Sequence, residues 1–315
     1  MVEATVIVAA WNAEETVTRS IQSALSQRDV AVDVIVIDDK STDGTADLVE
    51  GLAREMGNLR LIRAPENGGP GGARNHGFDR ATAPWLAVLD SDDLMREGRL
   101  AAMIALAEET GADVVLGNLQ RVSPEGEPVD ADPYLSGSDF ADGVGWDLRE
   151  YLEGEQFDLK HKSLGYLKPV FRRSYIEAHN LRYKPSLRNG EDTHLILDCL
   201  AAGAKVVFSA APDYLYTVRP GSISYRVNPA HLASVLAADA AFQLDNAGQM
   251  TAAITTLFDT RKRSIALMMH SETVLQALKE KKVGRALGHL ARHPFVTGRV
   301  VAQLVQAAQK RVRPG

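Results

Sequence analysis

Short apolar runs alternate with segments of helical periodicity through the first ninety residues of this 315-residue chain. The apolar runs are rich in β-branched residues and span Val6–Ala10, Val32–Ile37, Leu59–Ile62 and Trp85–Leu89. The segments with the period of a helix lie between them, at Ala13–Gln27, Thr45–Met56 and Ala73–Ala81. Strands that alternate with helices favour a parallel sheet with right-handed crossover connections. The pattern therefore predicts an α/β fold.

Polar residues follow these strands directly. Trp11 and Asn12 come after the first strand, Asp38 and Asp39 after the second, and Asp90-Ser91-Asp92-Asp93 after the fourth. In open parallel sheets, ligands bind beyond the carboxyl ends of the strands. Carboxylates there suit Mg²⁺ or Mn²⁺ bridged to phosphates. Asp and Ser also form turns and helix caps, but several strand ends converging on such residues favour a binding site.

The glycine-rich segment Asn67–Gly72 follows the third strand. It lacks the Gly-Lys-Ser/Thr ending of a P-loop and the spacing of the dinucleotide-binding fingerprint, which disfavours a dehydrogenase. No lysine-bearing glycine-rich signature follows the first strand, which disfavours a nucleotidyltransferase. We interpret the segment as a loop that lets Arg74 and a helix start approach a ligand.

A second acidic motif, Gly190-Glu191-Asp192, precedes a segment of helical spacing at Thr193–Ala202. Its carboxylates would lie at a helix N-terminus, either as a simple acidic first turn or as part of a site. The eight histidines show no metal-ligand spacing. Cys199 is the only cysteine, which excludes an internal disulfide and a cysteine-based zinc site.

These motifs together resemble those of family 2 glycosyltransferases, which have the GT-A fold, a Rossmann-like mixed sheet flanked by helices. Within that family the chain is most similar to bacterial exopolysaccharide glucosyltransferases of the succinoglycan type. The order and spacing of the motifs match over roughly the first two thirds of the chain. The matching segments are 8–12, 37–44, 67–69, 73–75, 90–93 and 190–192.

The resemblance implies a UDP-sugar donor. Trp11 takes the place of the family's usual tyrosine and keeps an aromatic face beside the uracil. Asp39 would accept a hydrogen bond from uracil, Arg74 would reach the base or the diphosphate, and Asp90 would hold the ribose. The donor-binding residues implied in this way are Ala10, Trp11, Asn12, Asp39, Asn67, Arg74, Asp90 and Ser91.

The resemblance also implies a chemistry. Asp92 would bind Mn²⁺ or Mg²⁺, which neutralises the leaving diphosphate. Asp192 would be the catalytic base that takes the proton of an acceptor hydroxyl. One base and one in-line displacement invert the anomeric centre, by the logic of inverting glycosidases.

Four further residues are candidates for the acceptor side or a closing loop. Tyr166 and Lys168 lie in the basic and aromatic segment 160–173, which is either part of the acceptor wall or an edge strand with a solvated flank. Glu191 could orient the site or bind acceptor. Arg219 lies in the segment 216–224, a candidate mobile loop that closes over the donor.

Charge is distributed unevenly along the chain. The net charge is −6 overall, yet residues 279–315 carry nine basic residues and one acidic residue. From Pro229 onward the pattern is helical, and residues 299–313 have an apolar face flanked by basic residues. Such a helix can lie on an anionic membrane, or it can pack on the catalytic domain or a second copy of the chain in a homodimer. The acidic body disfavours nucleic acid as a partner.

We therefore predict a GT-A domain over residues 1–225, with a donor half at about 1–120 and an acceptor half at about 121–225. Residues 226–315 would form a helical region for membrane docking or dimerisation. The predicted activity is metal-assisted transfer of a sugar, first of all glucose, from a UDP-sugar to a lipid-linked saccharide. No signal peptide or membrane-spanning run is evident, which predicts a cytoplasmic or peripheral membrane location. The alternatives are a catalytically silent sugar-nucleotide or polysaccharide-binding protein and a related nucleotide-sugar enzyme.

Overall fold

The computed structural model describes residues 1–157, 162–219 and 228–312, with side chains to residue 305. The chain forms two compact units. The first comprises Met1–Glu155 and Lys162–Pro220, and the second comprises Gln156–His161 and Gly221–Gly315. The predicted boundary between residues 225 and 226 lies outside the described residues.

The predicted parallel strands are present in the first unit. They are β1 (Ala4–Ala10), β2 (Val32–Asp38), β3 (Leu59–Arg63) and β4 (Trp85–Asp90). β1 pairs in parallel with both β2 and β4, and β2 pairs in parallel with β3. Every residue of β2 is buried, as its continuous apolar pattern predicts for a strand covered on both faces.

The remaining strands make the sheet mixed. They are β5 (Leu94–Met95), β6 (Val114–Val122), β7 (Gly145–Trp146), β8 (Lys168–Arg172) and β9 (Val206–Thr217). β8 runs antiparallel between β4 and β6, and β9 then pairs with β6 in parallel. The edge-strand alternative for the segment that includes Lys168 is therefore wrong. Pairing on both sides explains why this short strand is almost entirely buried.

Helices flank this sheet. They are α1 (Val17–Leu25), α2 (Thr45–Glu55), α3 (Gly69–Phe78), α4 (Arg99–Thr110), α5 (Leu148–Gly154), α6 (Arg173–Ala178) and α7 (Glu191–Ala201). α3 begins at Gly69, within the segment that we predicted as a loop. Pro70 is tolerated there because the first-turn N–H groups have no partner within the helix. Gly69 has φ +73°, a conformation that glycine adopts without steric cost.

The second unit is helical, as predicted. Its helices are α8 (Pro229–Asp245), α9 (Ala252–Lys279), α10 (Val283–Arg292) and α11 (Thr297–Val312). The Arg261 guanidinium and the Asp239 carboxylate form a buried ion pair of 3.0 Å between α9 and α8. In the described ranges, none of the helices combines the length and the apolarity that crossing a bilayer requires.

Candidate active site

The carboxyl ends of β1, β2 and β4 lie side by side. In the strand register Ala10 is opposite Asp38, and Ala9 is opposite Asp90. Trp11, the next residue along the chain from β1, is 53% exposed, so its ring is available to a ligand. The predicted convergence of aromatic and acidic residues at one sheet edge is therefore present.

The Asp39 carboxylate organises the start of α3. Its two oxygens accept hydrogen bonds of 2.8 Å from the backbone N–H groups of Gly68 and Gly69. Burial raises the pKa of Asp39, although these two hydrogen bonds oppose the rise. Asn67 donates from its amide to the Asp39 carbonyl at 2.9 Å. Each carboxylate oxygen retains a further lone pair, so Asp39 can still accept a hydrogen bond from a ligand.

The sequence analysis missed Arg188, which lies against this loop. Its guanidinium donates to the Asn67 side-chain oxygen at 2.7 Å and to the Asn67 carbonyl at 3.1 Å. Arg188 is exposed and precedes the Gly190-Glu191-Asp192 motif by two residues. Only the tertiary structure brings this cation to the glycine-rich segment, because the two are 121 residues apart.

Arg74 joins the two acidic motifs. Its guanidinium contacts an oxygen of Asp90 at 2.6 Å, of Glu191 at 2.9 Å and of Asp192 at 3.0 Å. The Arg74 residue is 2% exposed. A planar guanidinium with several N–H donors can bind carboxylates on two sides at once, which a lysine cannot do with the same geometry.

Lys168 makes a second connection between the same carboxylates. Its ammonium group lies 2.8 Å from the other oxygen of Asp90 and 3.2 Å from the other oxygen of Asp192. Both Asp90 and Asp192 are therefore bound by Arg74 through one oxygen and by Lys168 through the other. The structure thus brings five predicted site residues together in one largely buried cluster of three carboxylates and two cations. We call these residues, Arg74, Asp90, Lys168, Glu191 and Asp192, the charged cluster.

The low dielectric of this cluster shifts its ionisation. Burial alone would raise the pKa of Asp90, but Lys168 and Arg74 outweigh it and hold that pKa well below its usual range. Burial would lower the pKa of Lys168, but Asp192 and Asp90 raise it above its ordinary value. Burial and the neighbouring Asp192 raise the pKa of Glu191. Asp90 and Lys168 are therefore held in their charged forms.

Tyr183 supports the charged cluster and was also missed by the sequence analysis. The Arg74 guanidinium lies 5.3 Å from the centroid of the Tyr183 ring, within the range of a cation–π contact. The backbone of Tyr183 is tied to the neighbour of Arg74 by two hydrogen bonds with the Asn75 side chain, of 2.8 and 2.9 Å. These contacts fix the Arg74 helix against the segment that leads to α7.

The last two aspartates of Asp90-Ser91-Asp92-Asp93 have different surroundings. Asp93 is buried, and its carboxylate accepts hydrogen bonds from the Tyr214 hydroxyl at 2.8 Å and from the Thr217 backbone at 2.7 Å. Asp93 therefore anchors β9. Asp92 is only partly buried. Burial and the neighbouring Asp90 raise the pKa of Asp92, while Arg219 opposes the rise.

A divalent cation fits the surroundings of Asp92. Burial and the neighbouring Asp90 disfavour the charged form of the Asp92 carboxylate, and a bound cation would offset both effects. Asp92 offers a hard oxygen ligand of the kind that Mg²⁺ and Mn²⁺ prefer. Magnesium sites of this type use one or two carboxylates and complete the shell with water and substrate phosphates.

The other predicted residues lie in varied positions. Tyr166 packs edge-on against Tyr134 at 5.9 Å and Tyr216 at 5.8 Å, so its ring is part of an aromatic cluster. Asn12 has φ +49°, and its side-chain oxygen accepts a hydrogen bond of 2.8 Å from the Thr42 backbone. Ser91 and Arg219 are partly buried. The part of the predicted closing loop from residue 220 lies outside the described residues.

Known proteins are similar to this chain in sequence and in fold. The sequence model of "Glycosyl transferase family 2" matches residues 5–138. The succinoglycan biosynthesis protein ExoO of Rhizobium meliloti is 34% identical over 320 residues, which cover 99% of this chain and 89% of that protein. The GalNAc(5)-diNAcBac-PP-undecaprenol beta-1,3-glucosyltransferase of Campylobacter jejuni is 28% identical over 172 residues, covering 52% of this chain and 53% of that one.

A solved structure shares the fold over most of the chain. The S. aureus TarS fragment 1–349, in complex with UDP-GlcNAc, superposes with a TM-score of 0.60 at 18% identity. The match covers 90% of this chain and 89% of that one. At this identity the likeness concerns the fold alone. Because the match to ExoO runs nearly end to end and the family's motifs come together at one sheet edge, this chain belongs to glycosyl transferase family 2.

Proposed function

We propose that this protein is an inverting glycosyltransferase that moves a sugar from a UDP-sugar to a saccharide acceptor by metal-assisted single displacement. The observation that carries the proposal is the charged cluster, in which Arg74 and Lys168 join Asp90, at the carboxyl end of β4, to Asp192. Asp192 therefore lies close to Asp90, two residues before Asp92, which supports their assignment as base and metal ligand of one site.

The donor would lie across the carboxyl ends of β1, β2 and β4. Trp11 would stack on the uracil, and Asp39 would accept a hydrogen bond from it. Asp90 would hold the ribose, and Arg74 would approach the base or the diphosphate. The exposed ring of Trp11 and the hydrogen bonds from Gly68 and Gly69 to Asp39 support this placement. The walls of the donor site would be completed by Ala10, Asn12, Asn67 and Ser91.

Asp192 would take the proton of the acceptor hydroxyl as it attacks the anomeric carbon. The bond to the diphosphate breaks on the opposite face, so an α-linked donor gives a β-linked product. Arg74 binds one oxygen of Asp192 and Lys168 binds the other. A diphosphate that accepts hydrogen bonds from Lys168 would free one oxygen of Asp192. Donor binding would in this way prepare the base.

Asp92 would hold Mn²⁺ or Mg²⁺, which when bound stabilises negative charge on the leaving diphosphate. Arg219 would add positive charge on the same side, since it already lies close enough to oppose the rise in the pKa of Asp92. Glu191 would orient Arg74, which it contacts at 2.9 Å, or bind acceptor. The proposal assigns Tyr166 a place in the acceptor wall.

Slow hydrolysis of the donor tests the activity without knowledge of the acceptor. UDP-glucose, UDP-galactose, UDP-GlcNAc, a GDP-sugar and a dTDP-sugar are each incubated with Mn²⁺ or with EDTA, and nucleotide release is measured. Metal-dependent release of UDP from one of the UDP-sugars would support the proposal and identify the donor, with UDP-glucose tested first. Metal-dependent UDP binding without release, even with a polyprenyl-diphosphate saccharide added, would favour a catalytically silent binding protein.

Replacement of Asp92 by Asn is expected to weaken Mn²⁺-dependent binding of UDP-glucose by at least about tenfold, because a neutral amide oxygen is a poorer ligand for a hard cation. Calorimetric titration of the variant with Mn²⁺ should resemble that of the wild type with EDTA. Asp132→Asn, at an exposed position of the same unit, is the control and should bind as the wild type does. If UDP-glucose binding by Asp92→Asn depended on Mn²⁺ as in the wild type, Asp92 would not be the metal ligand.

We further propose that the acceptor is a lipid-linked saccharide at the cytoplasmic face of a membrane. Two observations support it: the basic charge of residues 279–315 and a set of exposed apolar side chains on and next to α10 and α11. That set is Val283, Leu287, Phe295, Val301, Leu304 and Val305. Apolar side chains beside lysine and arginine are typical of surfaces that rest on anionic lipid. The name of the Campylobacter relative includes a saccharide linked to undecaprenol through a diphosphate, which agrees with a lipid-linked acceptor.

The full-length protein is expected to float with vesicles that contain an anionic lipid and to remain in solution with neutral vesicles. Leu304→Glu should reduce flotation, because it places a charge on the apolar face. Leu244→Glu, on α8 and 79% exposed, is the matched control and should leave flotation unchanged. Absence of flotation together with a dimer that Leu304→Glu dissociates would assign this surface to dimerisation instead.

A further inference from the structure

Three histidines converge in the second unit. His270 lies on α9, His289 lies near the end of α10, and His293 directly follows α10. One ring nitrogen of each lies within 4.8 Å of the others. The Nδ1 atom of His270 is 3.1 Å from the Nε2 atom of His289. All three side chains are partly exposed, so an ion can reach them.

Local packing explains this convergence. α9 and α10 are joined by a tight connection in which Lys281 has φ +59°, and they pack on a shared apolar cluster that includes Val274 and Ala286. His289 and His293 are four residues apart, which is about one helical turn. From the sequence we expected no metal-ligand spacing among the histidines, whereas the fold brings three of them together. The four-residue spacing of His289 and His293 lets both face one ion, and His270 comes from another helix.

The geometry suits a tetrahedral ion. Two nitrogens bound to Zn²⁺ at about 2.0–2.1 Å in a tetrahedron lie about 3.3 Å apart. The nitrogens of His270 and His289 are already 3.1 Å apart. The rings of His270 and His293 stack with centroids 3.8 Å apart, so ligation requires small rotations of these side chains. A hydrogen bond between the ring nitrogens links His270 to His289 without metal, and a bound ion would take the place of its proton. One nitrogen of all three histidines lies within 4.8 Å of the others, which neither this hydrogen bond nor the stacking of one pair requires.

The surroundings of the cluster shift the pKa of two of its histidines. Burial lowers the pKa of His270, and His293 and His289 lower it further. Burial likewise lowers the pKa of His289, with added effects of His293, Arg292 and Arg285. Neutral imidazole is the form that binds metal. The positive charges of Arg292 and Arg285 also oppose a bound cation, and an anion at the fourth coordination position would offset them.

We propose that His270, His289 and His293 bind one divalent transition-metal ion of the zinc type and thereby link α9 to α10. Three imidazoles select Zn²⁺, Co²⁺, Ni²⁺ or Cu²⁺ over Mg²⁺, which prefers oxygen ligands. This site is separate in its residues and in its metal preference from the one proposed at Asp92. Its ion would stabilise the second unit, since a bound metal stabilises the state that binds it.

Equilibrium dialysis of the full-length, tag-free protein against ZnCl₂ tests the proposal. The protein is first stripped with EDTA, and Mg²⁺ is kept in excess so that carboxylate sites are occupied. We expect one Zn²⁺ per chain and a rise in the melting temperature of the wild type. Co²⁺ in place of Zn²⁺ should give the visible absorption of tetrahedral coordination, a readout that needs no variant. Binding well below one ion per chain, without that absorption, would overturn the proposal.

His289→Gln and His293→Gln should each weaken Zn²⁺ binding by roughly tenfold or more and abolish the rise in melting temperature. His231→Gln, on α8 of the same unit, is the control and should bind Zn²⁺ as the wild type does. Far-UV circular dichroism of each variant without metal confirms that its helices remain. Equal Zn²⁺ binding by His289→Gln and His231→Gln would show that the ion lies elsewhere.

Discussion

Replacing Asp192 with Asn is expected to lower kcat for sugar transfer by about 10²–10⁴-fold, the range that a general base contributes. The amide keeps the shape of the side chain but cannot accept the proton of the acceptor hydroxyl. The affinity for UDP-glucose should change little, because Asp90 and Arg74 remain. Initial rates at saturating donor and acceptor, together with calorimetric binding of UDP-glucose, separate the two effects.

Asp198→Asn is the matched control, since Asp198 lies on the same helix and pairs with Lys184 outside the charged cluster. It should retain wild-type kcat. Glu191→Gln provides the second comparison, because Glu191 is adjacent and its pKa is raised by burial and by Asp192. Near-normal transfer by Asp192→Asn, with the loss in Glu191→Gln instead, would assign the base to Glu191.

Replacing Arg74 with Met is expected to lower the free energy of unfolding of the first unit by about 3–5 kcal/mol, the cost of leaving buried charges unpaired. Arg74 contacts Asp90, Glu191 and Asp192 at 3.0 Å or less. Without it, three carboxylates would share the Lys168 ammonium in a buried site. Urea unfolding followed by tryptophan fluorescence reports on this unit, since Trp11, Trp85 and Trp146 all lie within it.

Arg149→Met is the control for the loss of an ion pair alone. Arg149 pairs with Glu153 one turn along α5, and both side chains are well exposed, so little change is expected. Arg74→Lys should fall between the two, because it keeps the charge and loses the planar fork that contacts several carboxylates. An unfolding curve of Arg74→Met that matches the Arg149→Met curve would mean that the charged cluster does not stabilise the fold.

Local periodicity was sufficient to predict the parallel half of the sheet. Alternation of β-branched runs and helical segments identified β1 to β4, because burial on both faces leaves a continuous apolar run. The start of α3 was missed, since Pro70 and its neighbouring glycines are typical of loops and the hydrogen bonds from Gly68 and Gly69 to Asp39 join residues about thirty positions apart. Residue roles within the site remain predictions that the variants above test.

The amino-acid sequence by itself determined the α/β class, the acidic strand ends and the family, because these depend on short-range pattern and on motifs within a few residues of one another. The tertiary structure alone decided that Arg74 meets Asp192 across 118 residues, that β8 brings Lys168 to both aspartates, and that three histidines meet in the second unit. Such contacts form when segments that are distant in sequence bury their apolar faces together. The periodicity of one segment therefore cannot predict which charged side chains come into contact.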